Sequence, residues 1–113
     1  MSSKPLVLRL VASRDIEEAV AHYVEEGGDA LALRFIDSIE AAFDRVGAHP
    51  AMGSPRYATE LDLPGLRLWP LKRFPYLMFY VERKDYVDVW RVLHGQRDIP
   101  AWLQIGERDD DQT

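Results

Sequence analysis

The spacing of apolar and polar positions changes period along the chain, and that change predicts the elements. Leu6, Val7, Leu8, Leu10 and Val11 form a short apolar run behind Pro5. The run suits a first strand, because a proline at a strand's start forfeits no ladder hydrogen bond. Ser13 is a good N-cap, and Ile16, Ala19, Val20, Tyr23 and Val24 then recur at helical spacing, predicting a helix from Arg14 to Glu26. Gly27 and Gly28 stop it, and Asp29 can cap the next. From Ala30 a second helix places Leu31, Phe35, Ile36, Ile39, Ala42, Phe43 and Val46 on one stripe, with Arg34, Asp37, Glu40, Asp44 and Arg45 opposite. Gly47 and Pro50 end it.

Residues 49–64 hold four prolines and glycines among small and polar residues (Pro50, Gly53, Pro55, Pro64), which predicts a loop long enough to suspect of function. The period then shortens to that of strands over Leu66 to Leu71, Tyr76 to Arg83 and Tyr86 to His94, with Lys84-Asp85 as the last turn. In the third of these, strict alternation puts Val87, Val89, Arg91 and Leu93 on one face and Tyr86, Asp88, Trp90, Val92 and His94 on the other. Both faces are largely apolar, so one is expected to pack on the helices and the other to want a partner. Pro100 to Leu103 can start a single helical turn. The expected fold is α+β: a short N-terminal strand and a helical hairpin packed on a small antiparallel β-sheet.

Composition adds limits. A chain of 113 residues with 47% hydrophobic and 29% charged residues is an ordinary globular domain. One domain is expected over residues 1–105, and the acidic stretch 106–113 is expected to be a disordered tail, its consecutive Asp109, Asp110 and Asp111 solvated rather than gathered on a metal. The absence of cysteine excludes disulfides, thiolate metal sites and thiol nucleophiles. The N-terminal apolar run is too short for a secretory signal, so a cytoplasmic location is expected. A net charge of −5 argues against a general nucleic-acid binder, yet it averages −4 over residues 1–50, +2 over 51–105 and −3 over 106–113.

Three segments in the basic middle go further: Gly65-Leu66-Arg67, the run Leu71-Lys72-Arg73-Phe74-Pro75-Tyr76-Leu77-Met78-Phe79-Tyr80, and Arg91-Val92-Leu93-His94-Gly95-Gln96-Arg97-Asp98. Together with the element order they resemble the ParE-type toxins of the RelE/ParE toxin–antitoxin superfamily, the plasmid stabilisation family, over about Leu6 to Leu103. The resemblance implies a toxin that inhibits DNA gyrase and is neutralised by a ParD-like antitoxin. It implies no cofactor, no catalytic residue, no membrane and no sequence-specific nucleic-acid binding by the toxin alone. Two alternatives stay open. One is the ribosome-dependent mRNA endoribonuclease of the RelE branch, and the other a non-toxic member acting only as co-repressor with its antitoxin.

The nuclease needs a base, an acid and cations around the scissile phosphate. Where that branch presents an arginine this chain has Pro75 and Tyr76, and where it presents a C-terminal tyrosine this chain has Trp102 or Leu103. The candidates for target or antitoxin contact are Arg67, Lys72, Arg73, Arg91, His94, Arg97 and Trp102. Each has a plainer use. Arg67 can snorkel or pair with Glu60 or Asp62; Arg91, on an apolar strand, can pair with Asp98 or a helix acid; His94 can bond the backbone at a strand end; Arg97 and Asp98 can pair locally. Phe74, Tyr76, Phe79, Tyr80, Tyr86 and Trp90 suit packing better than base stacking. Trp69 and Trp102 are costly to expose, and Trp102 is the expected antitoxin contact.

Overall fold

In the computed structural model, which describes residues 3–103, four strands form one sheet in the order β1-β4-β3-β2. The strands are β1 (Leu6–Leu8), β2 (Leu66–Pro70), β3 (Tyr76–Glu82) and β4 (Val87–His94). A long helical span, α1 (Leu10–Ala48), follows β1, and a 3-10 turn at Pro50–Met52 and a short helix, α2 (Arg56–Glu60), precede β2. The antiparallel meander expected from the sequence is β2-β3-β4. β1 joins it parallel to β4, with Leu6 opposite Val87 and Leu8 opposite Val89, so the sheet is mixed. The acidic tail expected from Gly106 lies outside the described residues.

β1 is shorter than its apolar run suggests. The Arg9 amide donates to the Val89 carbonyl at 3.0 Å while the Arg9 carbonyl accepts from the Ser13 amide at 3.1 Å. Arg9 therefore stands between strand and helix, displacing Ser13 from the expected cap, and Leu10 and Val11 open α1 instead of closing the strand. Leu10 is 57% exposed, so its apolar character did not report burial. A short apolar run cannot be told from the first turn of a helix by period alone. At Gly27 and Gly28 no loop intervenes. Both leave helical geometry, Gly28 at φ +75°, a conformation strained for any residue with a Cβ, and the helix resumes at once as a second arm.

Both arms pack on one face of the sheet. Ala12 and Ala19 of the first arm and Phe35, Ile39, Ala42 and Val46 of the second meet Met78, Tyr80, Val87, Val89 and Val92. The spacing of three and four between these helical positions is the stripe that the sequence displays.

The other face is not open, which corrects the expectation that it awaits a partner. Leu66, Leu68, Phe79, Val81, Trp90 and Leu93 are buried there beneath Ile99 and Leu103 of the helical residues 99–103, and Tyr57, Ala58, Leu61 and Leu63 pack against them. The segment read as a loop is thus a cover with its own short helix. Burying a large apolar side chain contributes roughly 1.5–3 kcal/mol, reason enough for the chain to fold back over this face.

Strict alternation also fails on β4. Phe79 faces Arg91 but Tyr80 faces Val89, so Trp90 is an extra residue in a bulge. Val89 and Val92, three apart, consequently share the helical face, while Trp90 and Leu93 share the other.

Three residues of parallel pairing hold β1, and side chains reinforce them. The Asp88 carboxylate, 8% exposed, accepts hydrogen bonds from Arg9, Arg83 and the Trp90 indole. The Arg9 guanidinium also lies 4.3 Å from the Trp90 ring centroid. Burial pushes the Asp88 carboxyl upward, but the hydrogen bonds and charge of Arg9 and the bond from Arg83 outweigh it, leaving the group below its ordinary 3.8. Because the folded value is the lower one, Asp88 contributes stability above the unfolded value, and the contribution is lost as pH falls through the folded value. Asp88→Asn should lower the unfolding free energy by about 1–3 kcal/mol at pH 7. In urea titrations across pH, the gap between wild type and variant should close below 3.8.

Candidate functional site

The β2–β3 turn and the residues after β4 meet at one end of the sheet. The Gly95 amide donates to the Pro75 carbonyl at 2.8 Å, and Tyr76 packs edge-on against His94 with ring centroids 5.3 Å apart. Tyr23 and Phe35, one from each arm of α1, close on Phe74 at 5.0 and 5.3 Å. This aromatic cluster is packing, as its composition suggested, and it divides the end of the molecule into two grooves.

The first groove, about 460 Å³, runs between the first arm of α1 and the end of β4, lined by Glu18, His22, Tyr76, His94, Arg97 and Trp102 among others. Asp15 also lines it, and Arg91 is buried behind that carboxylate. Arg91, 2% exposed, donates from Nε and Nη2 to the two Asp15 carboxylate oxygens at 2.7 and 2.6 Å, and from Nη1 to the Trp102 carbonyl at 2.8 Å. The Asp15 carboxylate also accepts the Val92 amide at 3.0 Å, on a stretch of β4 beyond the reach of β1. Arg91 is therefore a buried scaffold group, paired with a helix acid rather than Asp98.

His94 is half-buried, and its Nδ1 accepts the Gln96 amide at 3.1 Å, fixing the turn. Arg97 is exposed, and its guanidinium lies 4.2 Å from the half-buried Trp102 ring rather than pairing with Asp98. Burial raises the Tyr76 phenol above 10.0; Arg97 opposes the shift, while Asp15 and Glu18 add to it. Tyr76 is thus a neutral hydroxyl at neutral pH.

Lys72 and Arg73 belong to the second groove, across the aromatic cluster, beside Arg34 and Ser38 of the second arm. Both are exposed, and Arg73 has φ +71°. Arg67 joins neither groove. Its Nη1 donates to the Gly53 carbonyl at 2.7 Å rather than pairing with Glu60 or Asp62, and beside it the Tyr80 hydroxyl accepts the Gly53 amide at 3.0 Å and donates to the Pro50 carbonyl at 2.7 Å. A Cβ at Gly53 would overlap that hydroxyl, so glycine is required for the approach. Trp69 is half-buried against the helical core.

Of the sequence candidates, His94, Arg97 and Trp102 gather in one groove with Arg91 buried behind it, Lys72 and Arg73 line the other, and Arg67 joins neither. Asp15 and Arg34 were missed. Asp15 left a signal, an acid between Ala12 and Ala19 in an apolar stripe; Arg34 left none. Among the described residues no three His, Cys, Asp or Glu side chains could hold a metal ion, and no helix is long and apolar enough to cross a membrane.

A mixed sheet with a two-armed helix on one face and a self-covered second face defines a small α+β domain. Residues 6–99 match the model of the ParE toxins of type II toxin–antitoxin systems, parDE, and the chain belongs to that family. Toxin ParE3 of Caulobacter vibrioides is 30% identical over 97 residues, 85% of this chain and 89% of that protein. A solved structure described as the chromosomal ParDE TA system from P. aeruginosa shares the fold, with a TM-score of 0.67 and 21% identity over 81% of this chain and 96% of that one.

The placements separate scaffold cations from surface cations. Arg67→Met, which leaves the Gly53 carbonyl without its donor, should lower the unfolding free energy by about 1–2 kcal/mol, whereas Lys72→Ala should change it by less than about 0.5 kcal/mol. Urea unfolding of the two variants checks the contrast.

Proposed function

We propose that this ParE-family toxin acts in the cytoplasm by inhibiting DNA gyrase, stalling it with cleaved DNA, and that a ParD-like antitoxin neutralises it. The observation that carries a binding role over a nucleolytic one is the state of the first groove. The strand arginine behind it, Arg91, has its charge met by Asp15 and a further donor taken by a carbonyl, so it is not free to meet a phosphate. The His94 Nδ1 is committed to a backbone amide. By the same resemblance, Pro75 and Tyr76 stand where the nuclease branch carries an arginine, and Trp102 or Leu103 where it carries a tyrosine. Membership of the family supports gyrase as the proposed target. The exposed groups, Lys72, Arg73 and Arg97 with the ring of Trp102, are the residues assigned to contact with target or antitoxin.

A second reading has one observation in its favour: His22, His94, Tyr76 and Arg97 line the same groove, a set able to bind and protonate a phosphodiester. The two readings part in a supercoiling assay with purified gyrase. The toxin should block supercoiling and accumulate cleaved plasmid, and equimolar antitoxin should restore activity. Normal supercoiling, with mRNA cleaved at discrete codons in primer extension from induced cells, would establish the endoribonuclease instead. Normal growth on induction would leave only the co-repressor role.

A further inference from the structure

The first groove holds polar groups whose hydrogen-bonding capacity the fold leaves unused. Among the described residues the Glu18 carboxylate, the Tyr76 hydroxyl and the Gln96 side-chain amide make no hydrogen bond or ion pair. The Arg97 guanidinium meets only the Trp102 ring, and the His22 imidazole lies 3.9 Å from the Glu26 carboxylate, too far for a hydrogen bond. Asp15 differs, since its oxygens are already taken by Arg91 and the Val92 amide. Each wall is left with one free charge, Glu18 on the helix and Arg97 after β4.

These groups stand on a fixed base. The Asp15–Arg91 pair lies under the groove, and the Gln96 amide ties down the His94 ring. Because Nδ1 accepts that bond, the ring carries its proton on Nε2 and has a donor to offer a ligand. Burial above all raises the Tyr76 phenol; after it Arg97 acts to lower it while Asp15 and Glu18 act to raise it, so the hydroxyl stands within reach of both walls. Arg97, Tyr76, His94, His22 and Gln96 all supply donors, against one free carboxylate. An anion with several oxygens suits such a set, and the planar fork of an arginine suits phosphate in particular. A wholly anionic ligand would face Glu18 at a cost, whereas one that also carries hydroxyls gives that carboxylate donors to accept, as acidic side chains do from ribose. The groove, about 460 Å³, falls within the roughly 300–1,000 Å³ of small-ligand sites.

We propose that this groove binds a phosphorylated ribose, its phosphate on Arg97, the Tyr76 hydroxyl and His94 Nε2, and its sugar hydroxyls on Glu18. A nucleoside monophosphate and a free sugar phosphate share that unit. Binding is reversible and breaks no bond, so it is separate from the action on gyrase and from the nucleolytic reading of the same groove.

Calorimetric titration of the full chain with adenosine 5′-monophosphate, ribose 5-phosphate, adenosine and inorganic phosphate tests this. The two sugar phosphates should bind with Kd below about 1 mM, and adenosine and inorganic phosphate at least about tenfold more weakly. Tighter binding of the nucleotide than of ribose 5-phosphate would assign the site to nucleotides, and equal binding to the sugar phosphate alone. Arg97→Gln should weaken both sugar phosphates at least about tenfold. Glu18→Gln should weaken them about threefold or more yet tighten inorganic phosphate, a reversal that loss of folding cannot produce. Lys84→Ala, in the turn at the other end of β4, should leave every affinity unchanged. Absence of saturable binding by either sugar phosphate would overturn the proposal and leave the proposed function standing, as would equal losses in Lys84→Ala and Arg97→Gln. A ribo-oligonucleotide that is cleaved, or that binds far more tightly than either sugar phosphate, would give the groove to the nucleolytic reading and likewise contradict the proposal.

Discussion

The buried pair between Arg91 and Asp15 is the joint on which the molecule turns. β1 ends at Leu8, level with Val89, so the rest of β4's outer edge has no strand to pair with. Asp15 takes that place, accepting the Val92 amide while it neutralises Arg91, and Arg91 in turn holds the Trp102 carbonyl of the segment covering the opposite face. One guanidinium thereby links the helical layer, the sheet and the C-terminal cover. Such a pair adds little net stability over an apolar substitute, because desolvation offsets attraction, but removing one partner strands a charge in the interior.

That arrangement decides which cations face outward. Arg91 is committed to the interior and Arg67 to the loop at Gly53, while Lys72, Arg73, Arg97 and Arg34 are exposed around two grooves at one end of the sheet. A chain that is acidic overall thus presents a locally basic end with aromatic and aliphatic surface between the charges. Such a surface favours polypeptide partners.

Much of this was legible in the sequence, and the misses have physical causes. The helical stripe through Phe35, Ile39, Ala42 and Val46 and the three later strands follow from period alone. The parallel pairing of β1 did not, because strand order is a property of distant segments. The doubly apolar β4 was read as packing on the helices with one face and leaving the other for a partner, and that second half was wrong. The cover comes from the chain itself, since residues 55–63 and 99–103 carry too few apolar positions each to announce a layer. The bulge at Trp90 shifted the faces of Val92 and Leu93, and no residue type marks it. For the site, the motifs identified the cations, but burial sorted them. A buried arginine and an exposed one are the same letter until the partner carboxylate is placed.

A double-mutant cycle on Asp15→Asn and Arg91→Met, followed by urea unfolding, tests the central claim most directly. Asp15→Asn alone should cost about 3–5 kcal/mol by leaving the guanidinium unpaired. Adding Arg91→Met should recover a large part of that loss, giving a coupling of about 2 kcal/mol or more. Additive losses, with no coupling between the two positions, would contradict the account.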